Sequence, residues 1–146
     1  MAASYFTPTF ALSVKRTVFN MEDKIIKENN PVVDKSLAFA VRIVNLYSFL
    51  RDTKKEYVMS KQLMRCGTSI GANIAEAQEA QSTDDFIAKL YISLKECSET
   101  RYWLKLLLYA KYLDSVQYQS INDDATEIYA LLMSIIKSTK KNKHSL

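Results

Sequence analysis

Very little in this chain is equipped for covalent or metal chemistry. A single histidine, His144, stands among lysines near the C-terminal end, so a histidine triad or histidine metal cluster has no material. Cys66 and Cys97 are 31 positions apart and neither belongs to a CxxC pair. No zinc or redox motif is therefore readable, and both are expected as small core residues. Gly67 and Gly71 fit neither GxGxxG nor GxxxxGK[ST], so no phosphate-cradling loop follows. The expectation is a protein that is not an enzyme, with no catalytic residue, no metal and no cofactor.

What the side chains offer instead is charge. The chain carries 20 Lys and Arg against 16 Asp and Glu, a net +4 that is unevenly spread. Residues 51–65 hold Arg51, Lys54, Lys55, Lys61 and Arg65 against Asp52 and Glu56, a net +3. Residues 134–146 hold Lys137, Lys140, Lys141 and Lys143 with no acid, a net +4. Between them, Asp114, Asp123, Asp124 and Glu127 give residues 114–133 a net −4. Clustered lysines of this kind suit a phosphate backbone, and Lys54, Lys55, Lys61, Lys140, Lys141 and Lys143 are the expected nucleic-acid contacts. The competing reading is that these lysines cap helices and keep the protein soluble. The nine tyrosines form no aromatic-rich single-strand motif and are expected in the bundle and its interfaces.

The elements that must position these charges are helices. Two Gly and two Pro in 146 residues fall far below the usual level of about 12%, which disfavours turn-rich β and doubly wound folds. A length of 146 residues suits one domain, 48% hydrophobic residues argue against disorder, and no apolar run is long enough to span a bilayer. Asn30-Pro31 marks a helix start, with Asp34 as a second possible cap. Leu37, Ala40, Val41, Val44 and Tyr47 beside Phe39, Ile43, Leu46 and Leu50 give that helix a wide apolar face, ending near Arg51-Asp52. The connector DTKKE reads as short and polar. A second helix over 57–81 aligns Met59, Leu63, Cys66, Ile70, Ile74 and Ala77. Its two glycines, four apart, each cost about 1 kcal/mol relative to Ala, and predict close approach of another helix, with approach of a ligand as the alternative. A third helix begins at Ser82 or Thr83, with Asp84 and Asp85 in its first turn, and runs to about Leu113. Phe86, Leu90, Leu94, Cys97, Leu104 and Leu108 form its face, interrupted by Arg101. Its second half, YWLKLLLYAKYL, is apolar nearly all round, which implies a partner subunit on the outside. A fourth helix follows Asp114-Ser115 with Ile121, Ala125, Ile128, Leu132 and Ile135 in phase, ending in a lysine-rich, frayed tail. The architecture expected is an all-α, up-and-down four-helix bundle.

Residues 1–30 read as an N-terminal extension, expected to be disordered, in which 1–20 has no clear helical period and Met21 offers an alternative start. The bundle is placed at 31–139 and the basic tail at 140–146. Such a bundle puts the connector between the first two helices at the same end as the acidic start of the fourth, and the basic tail at the opposite end.

On the second helix, Arg65, Ser69, Asn73 and Glu76 step by four, four and three into one polar line about 100° from the apolar one. On the third, Glu96 and Glu99 are the nearest acidic candidates for Arg65, and a packed pair would fix register more than add stability. The stretch QLMRCGTSIGANIAEAQEA resembles the signature of the bacterial four-helix bundle, or 23S ribosomal RNA intervening-sequence, protein family. Arg65, Ser69, Ile70, Asn73, Ile74 and Glu76 match its pattern, while Ala77 stands where glycine is usual. FIAKLYISLKECSETRYWLKLL resembles the second block, with Phe86, Leu90, Glu96, Glu99 and Trp103 in order. The resemblance covers about Val32 to Lys140.

It implies up-and-down bundles assembled into ring-like homopentamers, with no established catalytic set. Related members act as accessory variability determinants of diversity-generating retroelements, binding nucleic acid and a reverse transcriptase. The expectation is a cytoplasmic, homo-oligomeric accessory protein that contacts RNA or DNA backbone, with itself and a reverse transcriptase or other protein as partners, and no membrane. In a pentamer, five +4 tails would set about 20 charges near one rim. The alternative is an interaction scaffold without nucleic acid, using an outer surface around Trp103, Leu107 and Tyr109, which are also the expected oligomer interface.

Overall fold

The computed structural model describes residues 30–145, and its described residues form four α-helices with no strand. In chain order these are α1 (Pro31–Asp52), α2 (Met59–Gln78), α3 (Thr83–Tyr109) and α4 (Ser115–His144). Helix α1 packs on α2, α2 on α3, α3 on α4, and α4 returns to α1, while the diagonal pairs make no close backbone approach. This is the expected up-and-down bundle. The N-terminal extension, apart from Asn30, lies outside the described residues.

The core is aliphatic. Phe39, Ile43, Leu46 and Leu50 from α1 meet Leu63, Cys66, Ile70 and Ile74 from α2, then Leu90, Cys97, Leu104 and Leu107 from α3 and Ile121, Ala125, Ile128 and Leu132 from α4. Of the stripe read on α2, only Met59 is less than fully buried. On α4 the last core position is Ile136 rather than Ile135, because a straight helix drifts from a strict four-three alternation. On α3 the face turns slightly, so Ile87 and Leu107 are buried while Phe86 and Leu108 are half-buried. The wide apolar face of α1 divides. Phe39, Ile43, Leu46 and Leu50 enter the core, while Leu37 and Val44 stay 46% and 40% exposed.

The two glycines allow α1 and α2 to touch at backbone distance. A Cβ on Gly67 would lie 2.8 Å from Ile43 Cγ1, and one on Gly71 would lie 3.3 Å from the Ser36 carbonyl oxygen. Two connectors need a left-handed residue, and with no glycine in either one they use Lys55 (φ 56°) and Lys111 (φ 64°). A non-glycine side chain there costs roughly 1–2 kcal/mol. After Lys111 the Tyr112 N–H returns to the Leu107 carbonyl at 2.9 Å, so α3 ends four residues before the expected Leu113.

Caps follow the sequence at two of four helix starts. Ser82 accepts from the Asp85 N–H at 3.1 Å. Asp114 and Gln117 form a reciprocal capping box that starts α4 at Ser115, ahead of Ile121. Asn30 makes no side-chain cap and instead donates to Gln78 Oε1 at 3.2 Å, tying the start of α1 to the end of α2. At its other end α4 stays helical to His144, so residues 140–144 are not frayed. Thr139 Oγ1 donates to the Ile135 carbonyl at 2.7 Å, and lysines beyond it reach α3.

The close approach at Gly67 has a measurable consequence. Gly67→Ala gains about 1 kcal/mol of helix propensity, but overpacking against Ile43 costs about 1–3 kcal/mol, and the net is a loss of up to about 2 kcal/mol. In urea unfolding, the Gly67→Ala/Ile43→Val double variant recovers part of that loss. Strict additivity of the two single changes would refute the contact.

Candidate nucleic-acid interface

The basic connector between α1 and α2 is held by a buried acid. Glu56 is 6% exposed, and its carboxylate accepts the backbone N–H groups of Val58 at 3.0 Å, Met59 at 2.9 Å and Ser60 at 2.6 Å. It therefore caps α2, which has no side-chain cap from Val58. Burial alone would raise the Glu56 carboxyl, but the Ser60, Met59 and Val58 N–H groups outweigh it and leave it below its ordinary value. A connector read as polar and solvated thus carries a buried anchor, and Lys54 and Lys55 project from an ordered turn. Lys54 Nζ lies 5.8 Å from the Phe49 ring centroid, Lys55 occupies the left-handed position, and Lys61 is exposed on the first turn of α2.

The second basic cluster is the last two turns of α4. Lys140 Nζ donates to Tyr91 Oη at 2.8 Å and sits 4.8 Å from that ring's centroid. Lys143 pairs with Asp84 in the first turn of α3, and Lys141 is exposed. The six predicted lysines therefore form two groups at opposite ends of the bundle, about 40 Å apart along the axis. One subunit does not bring them together. Lys54, Lys55, Lys61 and Lys141 make no ion pair among the described residues.

Two of the acids read against these lysines, Asp124 and Glu127, are paired to cations of α1, while Asp123 and Asp114 meet uncharged donors. Arg42, only 3% exposed on α1, pairs with Asp124 and donates to the Ser120 carbonyl at 2.9 Å and Ser120 Oγ at 2.7 Å. Lys35 pairs with Glu127 at 2.7 Å, Asp123 accepts from Gln119, and Asp114 caps α4. Arg42 was missed by sequence reasoning, although its position three beyond Phe39 and four before Leu46 places it within the buried stripe.

The polar line on α2 faces α3. Arg65 Nη1 lies 3.3 Å from Glu96 Oε2, and Nη2 pairs with Glu99, whose Oε1 also accepts from Trp103 Nε1 at 3.1 Å. Arg65 and Trp103 hold the Glu99 carboxyl below its usual range. Glu76 pairs with Lys89 at 2.6 Å, whereas Ser69 and Asn73 bond back to their own helix, at 2.7 and 2.8 Å. The Arg65 side chain is 49% exposed, so this network lies at the bundle surface and not inside it. Of the three residues expected on an outer interface, Tyr109 is 72% exposed and Trp103 half-buried, but Leu107 is wholly buried. Leu107 is corrected to a core residue, because it shares the inward face with Leu104 and Leu94.

The two thiols face the core. Burial pushes Cys66 and Cys97 up to about 11, so neither is a thiolate at neutral pH. Among the described residues no group of three or more His, Cys, Asp or Glu could hold a metal ion, and no helix is long and apolar enough to cross a membrane.

Fold and surface together define a four-helix bundle with basic ends and an Arg–Glu–Trp network joining α2 to α3. The family model of the 23S rRNA-intervening sequence protein matches residues 28–134, and the chain belongs to that family. The match contains the Arg65 network and the Lys54–Lys61 cluster but stops before Lys140. Among solved structures, the chain is similar to a protein of unknown function from the S23 ribosomal protein family of Bacteroides thetaiotaomicron VPI-5482, a 1.70 Å crystal structure. The two share 65% identity with a TM-score of 0.72, over 73% of this chain and 98% of the other. Curated proteins give no match.

Glu56→Gln tests the anchor. Because Glu56 lies below its unfolded value of about 4.3, its stabilisation is complete above that pH and fades as pH falls through the folded value. The variant is less stable at pH 7 by about 1–3 kcal/mol. The gap from wild type narrows below about pH 4. A gap that is constant between pH 7 and pH 3 would remove the carboxylate's role.

Proposed function

We propose that the protein is a non-catalytic, cytoplasmic nucleic-acid-binding accessory protein that acts as a homo-oligomer. The supporting observation is the state of its charges. The α4 acids Asp124 and Glu127 are paired to α1, while Lys54, Lys55, Lys61 and Lys141 stand exposed and form no close ion pair among the described residues. Unpaired lysines on ordered turns lose little further entropy on meeting phosphate, and each contact releases condensed counterions. Lys140 is positioned by Tyr91, and Lys143 exchanges Asp84 for phosphate.

One subunit has its basic groups too far apart to line a single groove, so binding strength rests on assembly. The exposed apolar pair Leu37 and Val44, with half-buried Ala40, Val41 and Tyr47 between and beyond them, makes a continuous stripe along the outside of α1. Such a stripe suits a second copy, and a pentamer, as family resemblance implies, would gather five basic rims. A reverse transcriptase or another protein is a further partner that the exposed Tyr102 and Tyr109 on α3 would accommodate.

Two measurements test this. Duplex DNA and structured RNA bind the wild type at low salt, and the log–log salt slope for duplex DNA shrinks by about 0.9 for each lysine–phosphate pair removed by mutation. Replacing Lys140, Lys141 and Lys143 with Gln lowers affinity without unfolding the bundle. No binding at low salt, or no effect of the triple change, leaves the scaffold reading. Sedimentation at micromolar concentration gives a mass several times that of the 16.7 kDa chain, and Val44→Glu reduces it. A monomeric wild type refutes assembly.

A further inference from the structure

Arg101 interrupts the apolar face of α3, and neither the core nor the basic ends account for it. It lines a cleft of about 340 Å³ between α3 and α4, with Ser98, Tyr102, Lys105, Tyr118, Asn122 and Tyr129. Its guanidinium lies 5.6 Å from the Tyr129 ring centroid, and no carboxylate forms an ion pair with it among the described residues. Among the described residues Arg42 also leaves its Nε without a partner, but both of its Nη groups have oxygen partners, whereas no ion pair holds Arg101.

Four buried side-chain polar atoms lack a hydrogen-bond partner among the described residues, and two of them belong to this cleft: Arg101 Nε and Asn122 Oδ1. A native protein rarely leaves such atoms unmatched without a use for them. They ask for different things. The half-buried guanidinium with the exposed Lys105 beside it asks for an anion, and Asn122 Oδ1 asks for an N–H donor. Tyr102 on α3 and Tyr118 and Tyr129 on α4 stand in its two walls. No carboxylate is among the residues that line the cleft, and of the α4 acids nearest in sequence Asp124 is paired with Arg42.

We propose that this cleft binds one unpaired nucleotide of a nucleic-acid strand. The phosphate lies against Arg101 and Lys105, the base stacks on tyrosine, and an amino N–H of the base is donated to Asn122 Oδ1. Stacking on aromatic and guanidinium planes is how proteins hold unstacked bases. The volume suits one nucleotide and excludes a duplex, being near the lower end of the roughly 300–1,000 Å³ of ligand pockets. The inference rests on the nucleic-acid reading and adds to it a preference for unpaired sites that lysine clusters alone do not produce.

The test uses the full chain and three RNA duplexes of one sequence: fully paired, carrying one bulged adenosine, and carrying one bulged abasic nucleotide. The bulged adenosine binds about tenfold tighter than the other two, the order expected for stacking one base. Arg101→Gln and Lys105→Gln remove that preference and leave affinity for the paired duplex within about twofold. Lys105 is exposed, so its replacement cannot act by unfolding the bundle. Replacing Lys140, Lys141 and Lys143 weakens all three probes alike. Equal affinity for the three, a preference shared by the abasic bulge, or a preference that survives both cleft changes overturns the cleft assignment and leaves the basic-end reading standing. Failure of every probe to bind at low salt overturns both.

Discussion

Closing the ring of helices is the constraint on which the rest of this structure depends. Helices α1 to α3 pack in sequence through aliphatic faces and, between α1 and α2, through glycines that bring the backbones close. The return of α4 to α1 is different, because that seam has the least backbone contact of the four and is bridged by polar groups. Arg42 reaches from the core stripe of α1 to Ser120 and Asp124, and Lys35 reaches Glu127 one turn away. A guanidinium buried to this degree is tolerable only with its partners present, and removing Asp124 would leave it uncompensated at a cost of about 3–5 kcal/mol. The seam therefore specifies which face of α4 meets α1, whatever it adds to stability.

That choice of face sets the charge map. With Asp124 and Glu127 turned to α1, the α3 side of α4 presents Tyr118, Asn122 and Tyr129, all uncharged. Arg101 and Lys105 then stand opposite a wall without carboxylates, and the basic ends keep their charge. A chain with a net of only +4 can carry strongly basic local surfaces because part of its acid is committed to structure. Glu56 illustrates the same economy at the other connector. Its charge counts against the 51–65 cluster in a sum over sequence, yet it lies inside the protein, capping α2 beneath the lysines.

The sequence made some of this legible and hid the rest for identifiable reasons. Periodicity located four helices because each has a continuous aliphatic stripe, and Gly67 and Gly71 pointed to a close helix contact because two glycines four apart leave one face of the helix without side chains. The Ser82 and Asp114 caps were readable because capping is local. Periodicity could not say which half of a wide face is buried, so Leu37 and Val44 read as core alongside Ile43, and Leu107 read as outer surface when it is inner. Residues whose role depends on a distant partner were the least visible. Arg42 needs Asp124 82 positions away, and the cleft needs Arg101 on one helix beside Asn122 on the next. The Arg65 network was legible because its residues recur at helical spacing, with Glu96 and Glu99 the nearest acids on the next helix.

Assembly and binding meet in one geometric fact: the lysines are at the ends while the exposed aliphatic stripe runs along the side of α1. Copies joined side by side through Leu37 and Val44 would keep their ends aligned, so like charges would gather on each rim. Gathering like charge opposes assembly, and at physiological ionic strength, where charges are screened beyond about 8 Å, the opposition is modest. A polyanion laid across a rim would reverse its sign. On the proposed function, nucleic-acid binding and oligomerisation would be coupled by electrostatics, each favouring the other, with a mutual effect that weakens as salt rises. The cleft between α3 and α4 opens on a different side of the subunit, but Lys105 and Tyr118 place it within about two turns of the end that carries the α1–α2 connector. A strand held at that end by Lys54 and Lys55 would have to turn an unpaired nucleotide onto the α3–α4 side to reach it, which favours bulged or looped strands over regular duplex.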